Sequence, residues 1–400
     1  MALSMKNYQS SQSVPVWKEH FLGLAIVVAF LLPHTSILFL LVNPLLCLLL
    51  LLSSGRRWLN IVFIPLVPIF IATVLNLEVA QMKAIQSTAA IMLYFACFPF
   101  VSSMRMRNGY LYFIFGVIFL SQIVYLLGLP YIGQLIDRIY PLSEENVATI
   151  KYGRSHATFA NVFDYRYGGL YHNANQCSKY LTMLLAFFLI NNRDERMSKI
   201  TPFVVFAYLS VLLGGSRTGF VVATIIIYFA FFRKRKLSNN YKLIIGTLAL
   251  IGFIYFMQRA VGTVRGLDIE RGMSGSVNVK WETFMFHLIT EKSILGLLFG
   301  HLDTGLFEGR YGLTMNHFDT EYGNLVFCFG LIGFFSVFVF WYMVYKRLDS
   351  YNRIFLVNLL WVITSTIVCS YRTFFVFMLL LSVLYSNNSI VHKKEKNHLA

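Results

Sequence analysis

The feature that most constrains the fold is an apolar stretch from Phe21 to Leu52, with Pro33-His34-Thr35-Ser36 near its middle. As one helix it would be roughly 48 Å long, whereas the hydrocarbon core of a bilayer is about 30 Å thick. The polar tetrapeptide therefore predicts a turn between two membrane-spanning helices. No small-residue cleavage site follows the first apolar run, so we expect it to be a retained span and not a removed signal peptide.

Similar apolar runs recur along the rest of the chain. Apolar residues make up 57% of the sequence, charged residues only 13%, and the mean hydropathy is +0.63. A soluble domain would be about one-quarter charged. We therefore predict an all-α polytopic membrane protein, a single integral membrane domain over residues 1–400 with about twelve transmembrane helices. The ninth span is predicted from about Leu243 to Met257, and the eleventh is predicted to end at about Ser370.

Two long polar segments separate the spans, a first loop over residues 129–175 and a second over 258–321. With both termini in the cytoplasm, the cytoplasmic segments hold nearly all of the net charge of +16, and the outward segments are almost neutral. This contrast is the one that the positive-inside rule requires. Within the second loop, the apolar periodicity predicts an amphipathic helix near residues 279–291, with Trp281 as an interfacial anchor.

The short turn Gly214-Gly215-Ser216-Arg217-Thr218-Gly219 joins two apolar spans on the outward side. A cation at such a boundary either snorkels to lipid phosphates or has a specific partner. Arg217 is thus a candidate for binding an anionic substrate. The neighbouring glycines are expected to let a bulky headgroup approach the turn.

The end of the first loop holds Arg166, Asn173 and Asn175. The asparagines stand where a helix begins, so capping of free backbone N–H groups explains at least one of them. Arg166 is either a loop cation screened by Asp164 or part of an anion site at that helix N-terminus.

The second loop begins with three arginines and ends in a polar cluster at the start of the tenth span. Asp319 and Glu321 are either helix N-terminal acids stabilised by the helix dipole or members of a catalytic or binding site. The candidate residues are Arg259, Arg265, Arg271, His317, Asp319 and Glu321 in this loop and Asn324 just beyond it, at the start of the tenth span.

Several arginines at an outer interface suit a lipid-anchored anionic substrate, because a guanidinium binds phosphate oxygens in a fixed fork. A nearby imidazole or carboxylate is suited to accept the proton of an attacking hydroxyl. No Walker-type phosphate loop or base-stacking motif is present, which disfavours ATP-driven chemistry and nucleic-acid binding. We expect no cofactor and no metal, with Asp303 and Asp319 as the remaining alternative for a metal.

Four motifs in this order resemble the O-antigen polymerase and ligase superfamily. They are Arg-x-x-Gly-Leu-x-x-Asn-x-Asn, Gly-Ser-Arg-Thr-Gly, Trp followed by Leu-Phe-Gly, and Asp-x-Glu-Tyr-Gly-Asn-Leu followed by Phe-Gly-Leu-Ile-Gly, at residues 166–175, 215–219, 281–300 and 319–333. The resemblance covers roughly residues 150–340, and the remaining N-terminal spans match only in hydrophobicity.

The resemblance implies a GT-C-like fold and a multi-pass glycosyltransferase of the bacterial inner membrane whose active site faces the periplasm. Its substrate would be an undecaprenyl-diphosphate-linked oligosaccharide, polymerised into O-antigen or a related surface polysaccharide. Membrane lipids would surround it, and a chain-length regulator and a flippase of the same pathway are candidate partners. A ligase that transfers glycan to lipid A core is the alternative within the family, and the order Asn316-His317 favours the polymerase. A lipid-linked oligosaccharide flippase or transporter is the alternative from another class, which the lack of an internal repeat disfavours.

The resemblance assigns the diphosphate to Arg217 and Arg166. It makes Arg259, Arg265 and Arg271 secondary contacts for phosphate or glycan. Activation or orientation of the acceptor hydroxyl would be the role of His317, Asp319 or Glu321, with Asn173, Asn175 and Asn324 as further substrate-binding residues.

Overall fold

The structure of the protein is a computed structural model. It describes residues 16–33, 38–54, 59–78, 80–101, 106–140, 167–171, 174–231, 246–247, 281, 284–302, 307–308, 314–315 and 320–398. These residues are predominantly helical. The sequence prediction of an all-α protein is thus confirmed, with one short strand ladder as the exception.

The helices follow one another with short connections in most places. In the first half they are α1 (Val16–Leu31), α2 (Leu38–Ser54), α3 (Phe63–Leu75), α4 (Met82–Ala96), α5 (Asn108–Leu126) and α6 (Pro130–Ile139). In the second half they are α7 (Ala174–Asn191), α8 (Met197–Leu213), α9 (Arg217–Phe231), α10 (Ile294–Phe299), α11 (Glu321–Arg347) and α12 (Tyr371–His398). Two 3₁₀ segments, Asn60–Val62 and Asn352–Ile363, precede α3 and α12, respectively.

Two of the described helices, α5 and α11, are long and apolar enough to cross a bilayer by length and composition. Shorter apolar helices of 10–17 residues accompany them. These are Leu41–Ser53, Asn60–Leu75, Met197–Leu213, Arg217–Phe231, Asn352–Ile363 and Tyr371–Asn387. Each predicted span except the ninth overlaps a described helix, and the ninth lies almost wholly outside the described residues.

The predicted eleventh span differs from the observed element in length. The 3₁₀ helix ends at Ile363, and residues 364–370 form a non-helical connection to α12, named here the 364–370 connection. Its sequence Thr-Ser-Thr-Ile-Val-Cys-Ser explains the early end. Hydroxyl side chains compete for backbone hydrogen bonds and β-branched residues lose rotamer freedom in a helix.

Aromatic side chains form the contact between α4, α11 and α12. The ring of Phe95 lies 5.1 Å from that of Phe340 and 4.8 Å from that of Phe374. Trp341 completes the group, 4.9 Å from Phe340. Edge-to-face and tilted pairs of this kind add about 0.5–1.5 kcal/mol each beyond the area they bury. This cluster fixes α11 and α12, which bear the residues of the site, against the N-terminal half.

α11 is interrupted at Gly330, whose φ of 67° lies outside the helical range. The residues after α10 occupy the gap, since His301 N–H donates to the Phe327 carbonyl (2.8 Å) and Leu302 N–H to that of Cys328 (3.0 Å). Gly300, with φ 74°, crosses Gly330 so closely that a Cβ on Gly330 would lie 2.1 Å from the Leu298 carbonyl oxygen. Two glycines are therefore required at this crossing, and they belong to two motifs of the resemblance.

Residues 284–290 are helical and lie within the predicted amphipathic segment. Phe284 is buried against Tyr322 of α11, with ring centroids 5.1 Å apart, whereas Trp281 is 52% exposed. Further along the second loop, strand Phe307–Glu308 pairs in antiparallel fashion with Thr314–Met315. This ladder was not predicted from the sequence, because two-residue strands leave no period to detect.

Candidate functional site

The turn between α8 and α9 is fixed by its own residues. α8 ends at Leu213, and Gly215 adopts φ 56°, a conformation that glycine adopts at no steric cost. The Ser216 hydroxyl then accepts a hydrogen bond from Gly219 N–H at 3.3 Å, which caps α9. Arg217 is the first residue of α9, and its side chain is exposed.

The other two glycines of this turn pack against α7. A Cβ on Gly214 would lie 2.6 Å from Ser178 Oγ, and one on Gly219 would lie 2.7 Å from Ser178 Cβ. The expectation that these glycines leave room for a substrate headgroup is therefore wrong for Gly214 and Gly219. The space beside both is occupied by Ser178, because α7 and α9 approach closely here. Their role is to let α9 begin directly beside the first turns of α7.

A buried lysine on α7 binds the 364–370 connection. Lys179 is 4% exposed, and its Nζ donates to Ser365 Oγ at 2.9 Å and to the Thr366 carbonyl at 2.8 Å. The lysine thereby satisfies a backbone carbonyl of the non-helical connection, which has no helical partner.

Glu321, the first residue of α11, binds the same connection from the acceptor side. It is fully buried, and its carboxylate accepts hydrogen bonds from the backbone N–H groups of Ile367 and Cys369, the latter at 2.8 Å. Both carboxylate oxygens are thus used for structure. This geometry suits a residue that positions the connection better than one that accepts a proton from a substrate.

The turn that bears Arg217 also reaches the 364–370 connection. The hydroxyl of Thr218, the next residue, is hydrogen-bonded to the hydroxyl of Thr364 at 2.8 Å. Lys179, Thr218, Glu321 and the 364–370 connection are together named the buried polar cluster. It joins the start of α7, the start of α9 and the start of α11 at one place in the fold.

The two charges of the cluster interact electrostatically although the connection lies between them. An unpaired buried charge is strongly unfavourable, so each residue needs the other or an equivalent partner. Each also satisfies backbone groups of the connection: Lys179 donates to a carbonyl, and Glu321 accepts from N–H groups. The cluster is therefore matched in both charge and hydrogen-bonding capacity.

The end of the first loop is attached to the same region. Tyr167 N–H donates to the Leu213 carbonyl at 3.0 Å, directly before the Gly214–Gly219 turn. Gln122 of α5 donates from its side-chain amide to the carbonyls of Tyr167 (2.8 Å) and Ser210 (3.0 Å). The three polar elements that the sequence analysis placed on one side of the membrane are thus linked by contacts at one end of the helices.

The predicted site residues divide into two groups. Of the four that the structure describes, Arg217 and Glu321 belong to or adjoin the buried polar cluster. Asn324 is buried and donates through Nδ2 to the Thr320 carbonyl at 2.8 Å, while Asn175 is the second residue of α7 and half-buried. The others lie outside the described residues, namely Arg166, Asn173, Arg259, Arg265, Arg271, His317 and Asp319.

Lys179 and the 364–370 connection were not identified from the sequence. The available signal was an ionisable residue inside the apolar run of α7, a pattern that indicates a functional or structural partner within the bundle. The partners of Lys179 could not be predicted from the sequence, because Ser365 and Thr366 are 186 and 187 residues away along the chain.

A separate concavity lies elsewhere, at the other end of α7. It is a polar cavity of about 370 Å³ lined by Asn191, Asn192, Asp194, Glu195, Arg196 and Lys199. Its lining mixes both signs of charge, and none of these residues belongs to the buried polar cluster. Within the described residues, no group of three His, Cys, Asp or Glu side chains is arranged to hold a metal ion.

Comparison with known proteins gives no match, either to a protein-family model or to a curated protein sequence. The site must therefore be interpreted from its residues. It offers an exposed guanidinium at a helix N-terminus, where the dipole also favours anions. Beside it the buried polar cluster joins α7, α9 and α11 through hydrogen bonds to the 364–370 connection.

Proposed function

We propose that the chain is a polytopic inner-membrane glycosyltransferase, with about twelve spans and both termini cytoplasmic. The two long apolar helices and the shorter ones beside them support this membrane assignment. The short connections at Asn192–Arg196 and Gly214–Ser216 are typical of antiparallel neighbouring spans. Under this topology the buried polar cluster and Arg217 lie at the periplasmic end.

Its activity, in this proposal, is to join undecaprenyl-diphosphate-linked oligosaccharide units into O-antigen or a related surface polysaccharide. One observation supports it above all. Lys179 of α7, the Arg217 turn and the start of α11 meet at the 364–370 connection, and the end of the first loop is bonded through Tyr167 to Leu213, directly before that turn. The first loop, this turn and the start of α11 are the three polar elements that would have to act together on one lipid-linked substrate at the membrane surface.

Arg217 is the proposed contact for the donor diphosphate, because its guanidinium is exposed and stands at the N-terminus of α9. Arg166 is proposed to assist it, and Arg259, Arg265 and Arg271 to contact phosphate or glycan. The buried polar cluster keeps the turn at a fixed distance from α7 and α11. Because both oxygens of Glu321 accept backbone hydrogen bonds, we assign it to positioning and leave proton transfer to another residue of the second loop.

The decisive experiment supplies purified protein in detergent with lipid-diphosphate oligosaccharide as the sole substrate. A ladder of polymers with release of lipid diphosphate is the expected result. Transfer that occurs only after addition of lipid A core would instead identify a ligase. Translocation across vesicles without bond formation would identify a flippase, and either result would refute the polymerase assignment.

Two variants test the role of Arg217 within that assay. Arg217→Ala should abolish long polymer while the protein remains inserted and folded, and Arg217→Lys should restore only part of the activity, because an ammonium lacks the bidentate fork. Arg196→Ala is the matched control, since this exposed arginine stands at the opposite end of α8. An Arg217→Ala protein that still makes long polymer would contradict the assignment.

A further inference from the structure

A second group of polar side chains lies beside α11, apart from the buried polar cluster. His301 Nε2 and Glu291 Oε2 are 2.5 Å apart, and the other oxygen of Glu291 accepts a hydrogen bond from Ser293 N–H at 2.9 Å. An ionised carboxylate can only accept, so in a neutral imidazole the proton must reside on Nε2. Nδ1 is then the basic nitrogen, and the described residues provide no hydrogen bond to it.

The imidazole occupies a position that the surrounding residues determine. A Cβ on Gly296 would lie 2.8 Å from His301 Cε1, so the absence of a side chain there makes room for the ring. The Phe327 ring lies 5.4 Å from the imidazole on another side, and the His301 backbone N–H is bonded to the Phe327 carbonyl. The side chain of His301 nevertheless remains 37% exposed. It is both oriented and accessible.

The surroundings of Glu291 favour the charged form of its carboxylate. Burial acts to raise the pKa of Glu291, but the hydrogen bonds from His301 and Ser293 outweigh it and hold the pKa below its usual range. The second imidazole nearby, His287, is 6.4 Å from His301, and burial lowers its pKa. Glu291 is therefore the anion that would stabilise an imidazolium at His301.

The pair and the buried polar cluster both adjoin α11. Both contact α11, the cluster through Glu321 and the pair through Phe327. Six residues of helix separate these positions, which is roughly 9 Å along the axis. That distance is comparable with one or two sugar units, the size of the reacting end of an oligosaccharide.

We propose that His301, oriented by Glu291, is the general base that accepts the proton of the attacking sugar hydroxyl; this inference rests on the proposed function. The acceptor oxygen forms a bond to the anomeric carbon of the donor as the bond from that carbon to the phosphate oxygen breaks. The hydroxyl proton moves to Nδ1 of His301. The lipid diphosphate leaves with the electron pair of the broken bond, and Arg217 stabilises the negative charge that develops on it.

The test measures polymerisation rates between pH 5 and 9 for wild type, His301→Gln and Glu291→Gln. General-base catalysis typically contributes 10²–10⁴-fold, so His301→Gln should lower kcat by roughly 100-fold or more with little change in KM. Its profile should lose the fall in rate on the acidic side. Glu291→Gln should move that fall to lower pH, because a neutral partner stabilises the imidazolium less. His287→Gln, which alters the neighbouring ring, should retain the wild-type profile.

Three outcomes overturn the inference. The first is a folded His301→Gln protein that retains the acidic limb of the wild-type profile. The second is a Glu291→Gln profile that coincides with that of the wild type, since a structural role alone would not move the limb. The third is loss of the limb in His317→Gln with His301→Gln unaffected, which would assign the base to the histidine predicted from the sequence. If wild-type protein makes polymer and one of these outcomes occurs, the proposed function stands but His301 is not its base. If wild-type protein makes no polymer, the proposed function and this inference are both refuted.

Discussion

Removing either charge of the buried polar cluster should destabilise the protein strongly, and removing both should cost less than the sum of the two single losses. Glu321→Gln retains the shape of the side chain but removes the anion and directs an amide N–H group toward a backbone donor. Lys179 would then be 4% exposed with its anionic neighbour lost. Lys179→Met removes the cation in the same way and leaves the Thr366 carbonyl without its donor.

The magnitude follows from burial and from the hydrogen bonds that are lost. Breaking a buried ion pair by removing one partner costs about 3–5 kcal/mol. The carboxylate interacts with Lys179 across the connection and not by direct contact, so we expect the lower end, about 3 kcal/mol for each single variant. In the double variant neither charge remains to be unpaired. Its loss in unfolding free energy should therefore be smaller than the sum of the losses of the two single variants by about 1–2 kcal/mol.

The assay is reversible unfolding in mixed detergent and SDS micelles, followed by tryptophan fluorescence, for wild type, both single variants and the double variant. The surface pair Lys199–Glu195, 3.4 Å apart with the lysine 70% exposed, is the matched control. Lys199→Met should cost no more than about 0.5 kcal/mol, as exposed helix pairs do. Strict additivity of the two cluster variants, or single variants as stable as wild type, would refute the coupling argued here.

Three further predictions concern the glycine crossing, the capped turn and the His301–Glu291 pair. Gly330→Ala should destabilise the protein by several kcal/mol, because the positive φ and the adjacent Leu298 carbonyl leave no room for a methyl group. The matched control is Gly116→Ala in α5, where a Cβ meets nothing within 4 Å, and it should leave stability unchanged or raise it. Ser216→Ala should cost about 1 kcal/mol through loss of the cap and should lower activity if Arg217 acts from the start of α9; Ser216→Thr should restore most of it. The pKa of Glu291 is lower in the folded protein than its ordinary value of 4.5, so its contribution to stability is present above that value and is lost as pH falls through the folded pKa. The acid-induced fall in the unfolding midpoint should therefore be smaller in Glu291→Gln.

Each of these three measurements has an outcome that contradicts its premise. A Gly330→Ala protein with wild-type stability would mean that α11 is continuous at this residue. Equal activity of Ser216→Ala and wild type would show that the position of Arg217 does not depend on the Ser216 cap. An acid transition that is unchanged in Glu291→Gln would show that the carboxylate gains nothing from His301 on folding.

Much of the helical framework was predictable because apolar runs and their breaks are local signals. The end of α1 just before Pro33, the end of α8 before Gly214 and the start of α7 beside Asn175 all follow from such patterns. Arg217, Glu321 and Asn324 could be selected as unusual polar residues at the ends of apolar runs. What they contact could not be predicted, and Glu321 is used to hold backbone N–H groups of residues 46 and 48 positions away.

The remaining features depend on tertiary contacts that no local pattern contains. The sequence around Gly330 reads as a continuous apolar helix, and the break becomes evident only when Gly300 lies against it. Lys179 likewise reads as an isolated lysine in an apolar helix until the 364–370 connection is placed beside it. His301 and Glu291, ten residues apart, gave no recognisable motif, because their pairing depends on the turn around Ser293 and Gly296.

The crossing of Gly300 and Gly330 has a consequence for how such a protein can diversify. The chain leaves α11 at Leu302, bonded to Cys328, and returns to it at Thr320, roughly 12 Å away along the axis. Residues 303–319, which include His317 and Asp319, therefore connect two points on the same helix. Changes of length or sequence within such a segment leave the helix register untouched. Under the proposed function, an exchange of this segment between chains that act on different sugars should transfer specificity without loss of folding.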